Sequence, residues 1–471
     1  MKKFLSILLV IAILVVFFSA CGNNNEFEFV IDESTNTLII SGNGAVTNNL
    51  IAEDDERISL VETIEFSDEI TSLECSLVDF SNVNKVVFGK NFSDIGYNVD
   101  EYKSYLLPLN IKEFDIAENN ESFIYGDDGV LSNQDTIFYC TNKQLESYVC
   151  PNYIKYINEG AFEGVSLKNL VLNNGLEEIR NYAFCSEYNA IDTLVIPESV
   201  KSIMCMAFAG TYGGEVTNIR EVVFKGNTVI GGGAFYMSGV EKVDFGSGEV
   251  EVGPEAFFCC KIEELNICDN VKSIDRLAFS NNPLNKVYIS ANVSDVDTSA
   301  FRSSSGDLNF VVDENNATYC SDAKGSLYSK DMSTLFYIKE CEVKDNKIYF
   351  GDGFKTLAPY CVTVSGQDED EEFIVSDTVT EIQDYAFDYV YVNNIVIPAT
   401  VTKLGQISVG EMDYYNYESV TILNPDCNLD SFYCGAIETI KGYKGSTAER
   451  FAVENEINFE VIKNWNCFVI I

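Results

Sequence analysis

The chain has 471 residues, 73 of them acidic, 31 basic and none histidine, for a formal net charge of −42 at pH 7. A field of that sign repels phosphate backbones and anionic head groups, which argues against nucleic acid and against peripheral membrane binding through charge. Without histidine there is no His-based triad, no His general base and no His metal ligand.

Residues 1–20 read as a signal peptide: Lys2 and Lys3, an uncharged stretch from Phe4 to Ala20, and small residues ahead of Cys21. The apolar run is at the short limit for a spanning helix, so an uncleaved N-terminal anchor is the alternative. Cys21 directly after Ser19-Ala20 resembles a bacterial lipoprotein processing site, which implies lipidation of Cys21, with 21–25 as tether. The anchor would then be the chain's contact with the membrane. Residues 26–60 look like an opening β-hairpin and cap, with Gly42-Asn43-Gly44 as turn material.

From 61 to 440 the dominant signal is a beat. Ala-Phe pairs recur at Ala161/Phe162, Ala183/Phe184, Ala207/Phe208, Ala234/Phe235, Ala256/Phe257, Ala278/Phe279 and Ala300/Phe301, and again at Ala386/Phe387. Four of the first six steps are 22 residues, the signature of a solenoid whose units bury their apolar sides only by stacking. Each unit has a first half of the form Leu-x-x-Val-x-Ile, as in Leu284, Val287 and Ile289. The second half runs Val-x-x-Ile-x-x-x-Ala-Phe, as in Val271, Ile274, Ala278 and Phe279. Period two and β-branching make the first half a short strand, and copies one period apart form a parallel sheet. The Ala permits close approach of layers, and the Phe forms a stacked internal spine.

Degenerate coils are expected at Val61, Ile64, Phe66 and at Val83, Val86, Phe88. Two similar stretches interrupt the beat, 114–140 and 310–338. Each has an Asn-Asn pair, a Gly-containing turn and a second aromatic strand, and each reads as a β-hairpin inserted into the solenoid. Residues 441–471 read as a C-terminal cap and tail, with Ser446 and Glu449 as a capping box before a short helix over the last coil.

No P-loop or paired-glycine dinucleotide motif is present, and no cofactor is indicated. The run Asp368 to Glu372 lacks the spaced, turn-forming ligands of a calcium loop, and reads as a solvated loop. The fifteen cysteines lack metal-ligand spacing, and Cys185, Cys259 and Cys260, which follow the repeat phrase, read as small buried hydrophobes in tight corners.

The phrase LVIPESVKSIMCMAF at 194–208, IVIPATVTKL at 395–404 and the closing GYKGSTAERFAVENEINF at 442–459 resemble the BspA-type leucine-rich repeat of bacterial surface proteins. The resemblance implies a mostly β leucine-rich-repeat solenoid with a parallel sheet, inserted hairpins and a short capping helix. It also implies a non-enzymatic surface protein, with protein or glycan ligands on host matrix, host cells or other bacteria. An enzyme or substrate-binding lipoprotein for nutrient capture, and a stalk without a specific ligand, are the rivals. No ligand residues transfer, because the family motif is made of core positions. Strand alternation supplies the candidates instead: Thr193, Val195, Glu221, Val223, Lys242, Asp244, Glu264, Asn266, Lys286 and Tyr288 are expected to face outward. Tyr288 is the one aromatic anchor among them.

Overall fold

In the computed structural model the described residues are 27–47, 56–77, 79–96, 106–210, 219–304, 308–339, 342–344, 347–349, 353–362, 364–365, 372–387, 390–406, 417–432 and 437–463. The signal peptide, Cys21 and Asp368 to Glu371 lie outside them. The chain divides into two compact units, Met1–Asn218 and Ile219–Ile471.

In the first unit Glu28–Asp32 and Thr37–Ser41 form an antiparallel hairpin. Its turn is not Gly42-Asn43-Gly44. The chain reverses after Asp32, whose carboxylate accepts hydrogen bonds from the Ser34 N–H and Oγ–H, an Asx-type turn that needs no glycine. The glycines instead lead into Gly44–Val46, which pairs parallel with Ile70–Leu73. Thr37–Ser41 then begins a parallel run through Thr63–Phe66, Lys85–Phe88 and Glu113–Ile116. Val61, Ile64, Phe66, Val83, Val86 and Phe88 are all buried there, so the degenerate coils are true coils.

Both halves of the repeat form strands. Besides the Leu-x-x-Val-x-Ile strands, the Val-x-x-Ile half supplies a second parallel ladder. It runs through Tyr156–Ile157, Glu178–Ile179 and Ser202–Ile203 in the first unit, and through Thr228–Ile230, Val250–Val252 and Val271–Ile274 in the second. Period two is hidden in this half because only its ends, such as Val271 and Ile274, are core residues. A third line of bonds joins the Ala-Phe corners: the Phe257 N–H donates to Ala278 O at 2.8 Å, and the Phe279 N–H to Ala300 O at 2.9 Å. The rings stack as expected. Phe162, Phe184 and Phe208 lie 5.0 and 4.9 Å apart, and Phe235, Phe257 and Phe279 lie 5.0 and 5.3 Å apart.

The residue before the Ala sits in the left-handed region in most of the pairs, with φ of 55° at Tyr182, 54° at Met206, 57° at Glu255, 56° at Leu277 and 60° at Gly160; Ser299 before Ala300, inside the 3-10 turn Thr298–Phe301, is the exception. A side chain there costs roughly 1–2 kcal/mol, most for a β-branched one. Gly160→Val is therefore expected to lower stability by about 1–2 kcal/mol, and Gly160→Asn by clearly less, since Asn tolerates this region. Equal urea midpoints for the two variants would refute that reading.

The insertions carry the expected hairpins with one strand more. Ile124–Tyr125, Val130–Ser132 and Thr136–Cys140 form an antiparallel meander, and Tyr319–Ser321, Leu327–Ser329 and Thr334–Tyr337 repeat it. The last strand of each returns to a parallel ladder, with Tyr156–Ile157 and Thr356–Leu357 respectively, so the insertions are stitched into the solenoid. The second Asn of each Asn-Asn pair is the stitch. The Asn120 Nδ2 donates to Gly89 O and Phe92 O, both at 2.8 Å, and the Asn316 Nδ2 donates to Ser290 O and Val293 O at 2.7 and 2.8 Å.

Near the C-terminus the helix Thr447–Glu454 has Ser446 as its N-cap, the Ser446 Oγ accepting from the Glu449 N–H at 3.2 Å. The Glu449 carboxylate reaches back to the Gly445 N–H, one residue earlier than an ideal capping box. Ala448 and Ala452 join the core of the second unit. The helix does not end the stack: Asn458–Val461 follows and pairs parallel with Ile437–Gly442.

Candidate functional site

The outward positions lie where strand alternation predicts, with one exception. Thr193 and Val195 are exposed on Thr193–Ile196 in the first unit. In the second unit Glu221 stands in register with Lys242, Val223 with Asp244, Glu264 with Lys286 and Asn266 with Tyr288. Lys242, Asp244, Glu264 and Asn266 are exposed, while Glu221, Lys286 and Tyr288 are half-buried. Val223 is the correction: it is only 9% exposed. A short branched side chain within a parallel ladder lies below its longer neighbours, and Asp244 stands directly beside it.

Lys286 Nζ sits over the Tyr288 ring, 4.4 Å from its centroid, a cation–π contact between residues two apart on one strand face. The Tyr288 hydroxyl, and after it the nearby Glu264 carboxylate, raises the Lys286 pKa above its ordinary value. Lys286 is thereby held charged and oriented at the surface.

The ladder is interrupted within this face. Glu221–Phe224 pairs with Lys242–Asp244, and Glu264–Ile267 pairs with Lys286–Ile289 and Asn309–Val312, but Lys242–Asp244 and Glu264–Ile267 belong to different sheets. The strand ending at Asp244 turns away at Gly246, with φ of 61°, where an added Cβ would lie 2.1 Å from Phe224 O. No other residue fits so close to a backbone oxygen. Where the strands part there is an open depression of about 510 Å³, walled by Glu221, Lys242, Asp244, Glu264, Asn266 and Tyr288 with Val243 and Leu265 at its floor. Val243, at the central Val position of its Leu-x-x-Val-x-Ile half where Val287 is fully buried, is only half-buried there. A cleft in the first unit beside Tyr139 and Gly160 has about 20 Å³, room for little more than one water.

Sequence reasoning missed the coil preceding the clear repeats. Ser147–Val149 pairs with Asn169–Val171, and Val149 and Val171 are in register and exposed. Leu145, Tyr148 and Cys150 follow the Leu-x-x-Val-x-Ile spacing with atypical residues, and the Tyr148 ring packs tilted against Phe162, with centroids 4.8 Å apart. That spacing was the available signal. Val311 was likewise assigned to an insertion, yet it is in register with Tyr288 and 42% exposed.

The corner cysteines do more than fill space. Ser238, Cys260 and Asn282 each follow a spine Phe by three residues and are buried. The Ser238 Oγ–H donates to Phe235 O at 2.7 Å, the Cys260 thiol donates to the same oxygen at 3.1 Å, and the Asn282 Nδ2 donates to Phe257 O and Phe279 O. Burial pushes the Cys260 pKa up to about 11 and the Cys185 pKa up to about 12, so both are neutral, unreactive thiols at pH 7. Cys259, next to Cys260 in the chain, is only half-buried. Among the described residues no group of three His, Cys, Asp or Glu side chains can hold a metal ion, and no helix is long and apolar enough to cross a membrane.

Stacked coils, two parallel ladders and a Phe spine define a repeat protein. The chain belongs to the BspA-type leucine-rich repeat family: the model of its repeat region, which spans six repeat copies, matches residues 132–247, 211–323 and 343–460. Among solved structures it is similar to a leucine-rich repeat protein from Bacteroides ovatus ATCC 8483, at 13% identity and TM-score 0.35, over 94% of this chain and 100% of the other. It is also similar to the pneumococcal vaccine antigen PcpA, at 15% identity and TM-score 0.34, over 96% and 99% of the two chains. A third is a leucine rich cell surface protein from Faecalibacterium prausnitzii A2-165, at 14% identity and TM-score 0.30, over 96% of each chain. Comparison with curated protein sequences finds no match.

Proposed function

We propose that this is a non-enzymatic, lipid-anchored protein of the bacterial cell surface that adheres to other macromolecules through the outward face of its parallel sheet. The observation that carries the reading is the in-register face of Glu221, Lys242, Asp244, Glu264, Asn266, Lys286 and Tyr288. Its side chains are left unconstrained by the core, and it is opened by a depression beside a half-buried aromatic. Thr193 and Val195 offer the same kind of face in the first unit. Host matrix, host cells and other bacteria are the surfaces such a protein would meet.

The test is capture of partners from host extracellular matrix and bacterial surface extracts, followed by binding to purified partner. Tyr288→Ala together with Lys286→Glu is expected to weaken affinity by about tenfold or more, the loss typical of a hot-spot residue, with thermal stability nearly unchanged. Unaltered affinity in a folded double variant would move the site off this face. Anchoring rests on Cys21 after Ser19-Ala20. Cys21→Ser is expected to abolish lipid labelling and detergent partitioning, and a variant that still partitions and is cleaved like the parent would remove the lipid anchor from the proposal.

A further inference from the structure

We infer that the depression in the sheet face receives a lysine or arginine side chain from an extended segment of a basic protein partner, with Asp244 as its anchor. This rests on the reading of the sheet face as the adhesive surface and names the class of partner.

The argument is one of charge left over. Two of the three carboxylates at the depression have a cation in register on the neighbouring strand, Glu221 opposite Lys242 and Glu264 opposite Lys286. Asp244 has Val223 in that place, and on its other side the ladder is interrupted. Its Oδ1 accepts from the Gly246 N–H at 2.9 Å, which fixes the carboxylate at the strand end where the depression opens. With Lys242 set against Glu221 and Lys286 against Glu264, the Asp244 carboxylate is the one left over at the depression, with the Asn266 amide and the Tyr288 ring beside it. A guanidinium or ammonium satisfies such acceptors by charge-assisted hydrogen bonds. The net charge of −42 draws a basic partner to the surface and repels an acidic one. A volume of about 510 Å³ admits one long side chain with its flanking backbone. A glycan would use the Tyr288 face as its platform, but Lys286 Nζ already stands over that ring at 4.4 Å.

The test uses the full chain and three probes at physiological salt: a ten-residue peptide alternating lysine and threonine, its glutamate counterpart, and a neutral oligosaccharide. The lysine peptide is expected to bind and the other two not to. Asp244→Asn with Glu264→Gln is expected to weaken it about tenfold. Glu454→Gln with Glu456→Gln, which removes the same charge from exposed positions many coils further along the second unit, is expected to change it by less than about twofold, because exposed charges beyond a Debye length are screened. Asp244→Asn alone keeps an acceptor for Gly246 and guards against loss of folding. Equal weakening by the two double variants, absence of lysine-peptide binding, or oligosaccharide binding that depends on Asp244 would each overturn the inference. Tyr288→Ala alone serves in this arm, because Lys286→Glu would add negative charge that favours a basic partner. A purified partner that is lost with Tyr288→Ala, yet indifferent to Asp244→Asn and Glu264→Gln, would overturn the inference while leaving the sheet face in place, and a partner indifferent to Tyr288→Ala and to that pair would remove the face as well.

Discussion

Phe279→Ala is expected to cost ~3–5 kcal/mol, through lost transfer free energy plus the cavity left between two rings that cannot close on each other. Phe279 is fully buried and stacked on Phe257 at 5.3 Å and on Phe301 at 6.4 Å, in planes only 2° and 11° apart. Those neighbours are held in place by backbone bonds, from the Phe257 N–H to Ala278 O and from the Phe279 N–H to Ala300 O, so the corner cannot collapse onto the gap. Each lost ring contact adds about 0.5–1.5 kcal/mol beyond area. Lys286→Ala, on the solvent face of the following coil, is expected to stay within about 0.5 kcal/mol. Denaturation midpoints that coincide for the two variants would overturn the register of the repeat.

Asn316→Ala is expected to be comparably severe for a different reason. Asn316 is fully buried; its Nδ2 donates to Ser290 O and Val293 O, and its Oδ1 accepts from the Thr318 N–H at 2.9 Å and the Tyr319 N–H at 2.7 Å. Removing it strands the Val293 carbonyl and the Tyr319 N–H at buried positions, and takes a bond from the half-buried Ser290 carbonyl, which keeps the Val293 N–H at 3.4 Å, and from the half-buried Thr318 N–H. Each orphaned group costs about 1–3 kcal/mol, partly offset by relaxation, so a total loss of about 3 kcal/mol or more follows. The neighbour Asn315 is exposed and bonds only within its own turn, to Asp313. Asn315→Ala is expected to cost about 1 kcal/mol or less. Urea unfolding of the two alanine variants separates these outcomes, and a small loss at 316 would show that water replaces the amide.

Much of the fold was legible because a solenoid writes its core into the sequence at a fixed interval. Val271, Ile274, Ala278, Phe279, Leu284, Val287 and Ile289 are buried, and each was marked by the 22-residue beat. The outward alternation of Lys242, Asp244, Glu264, Asn266, Lys286 and Tyr288 followed from the same strand. The opening turn was misplaced because glycines mark a turn strongly in sequence, whereas Asp32 makes one through its own carboxylate. The second parallel ladder was missed because its strands are two to four residues long and held by neighbours one period away.

The sequence by itself determined the period, the core positions, the two insertions and the sign of the surface charge. These are properties of each coil repeated, and local pattern suffices for them. Only the tertiary structure decided that the Asn-Asn pairs stitch the insertions to the preceding coil, that Val223 is covered, and that the sheet parts between Asp244 and Glu264. Each depends on which residues of different coils stand side by side, and stacking rather than any single coil sets that register.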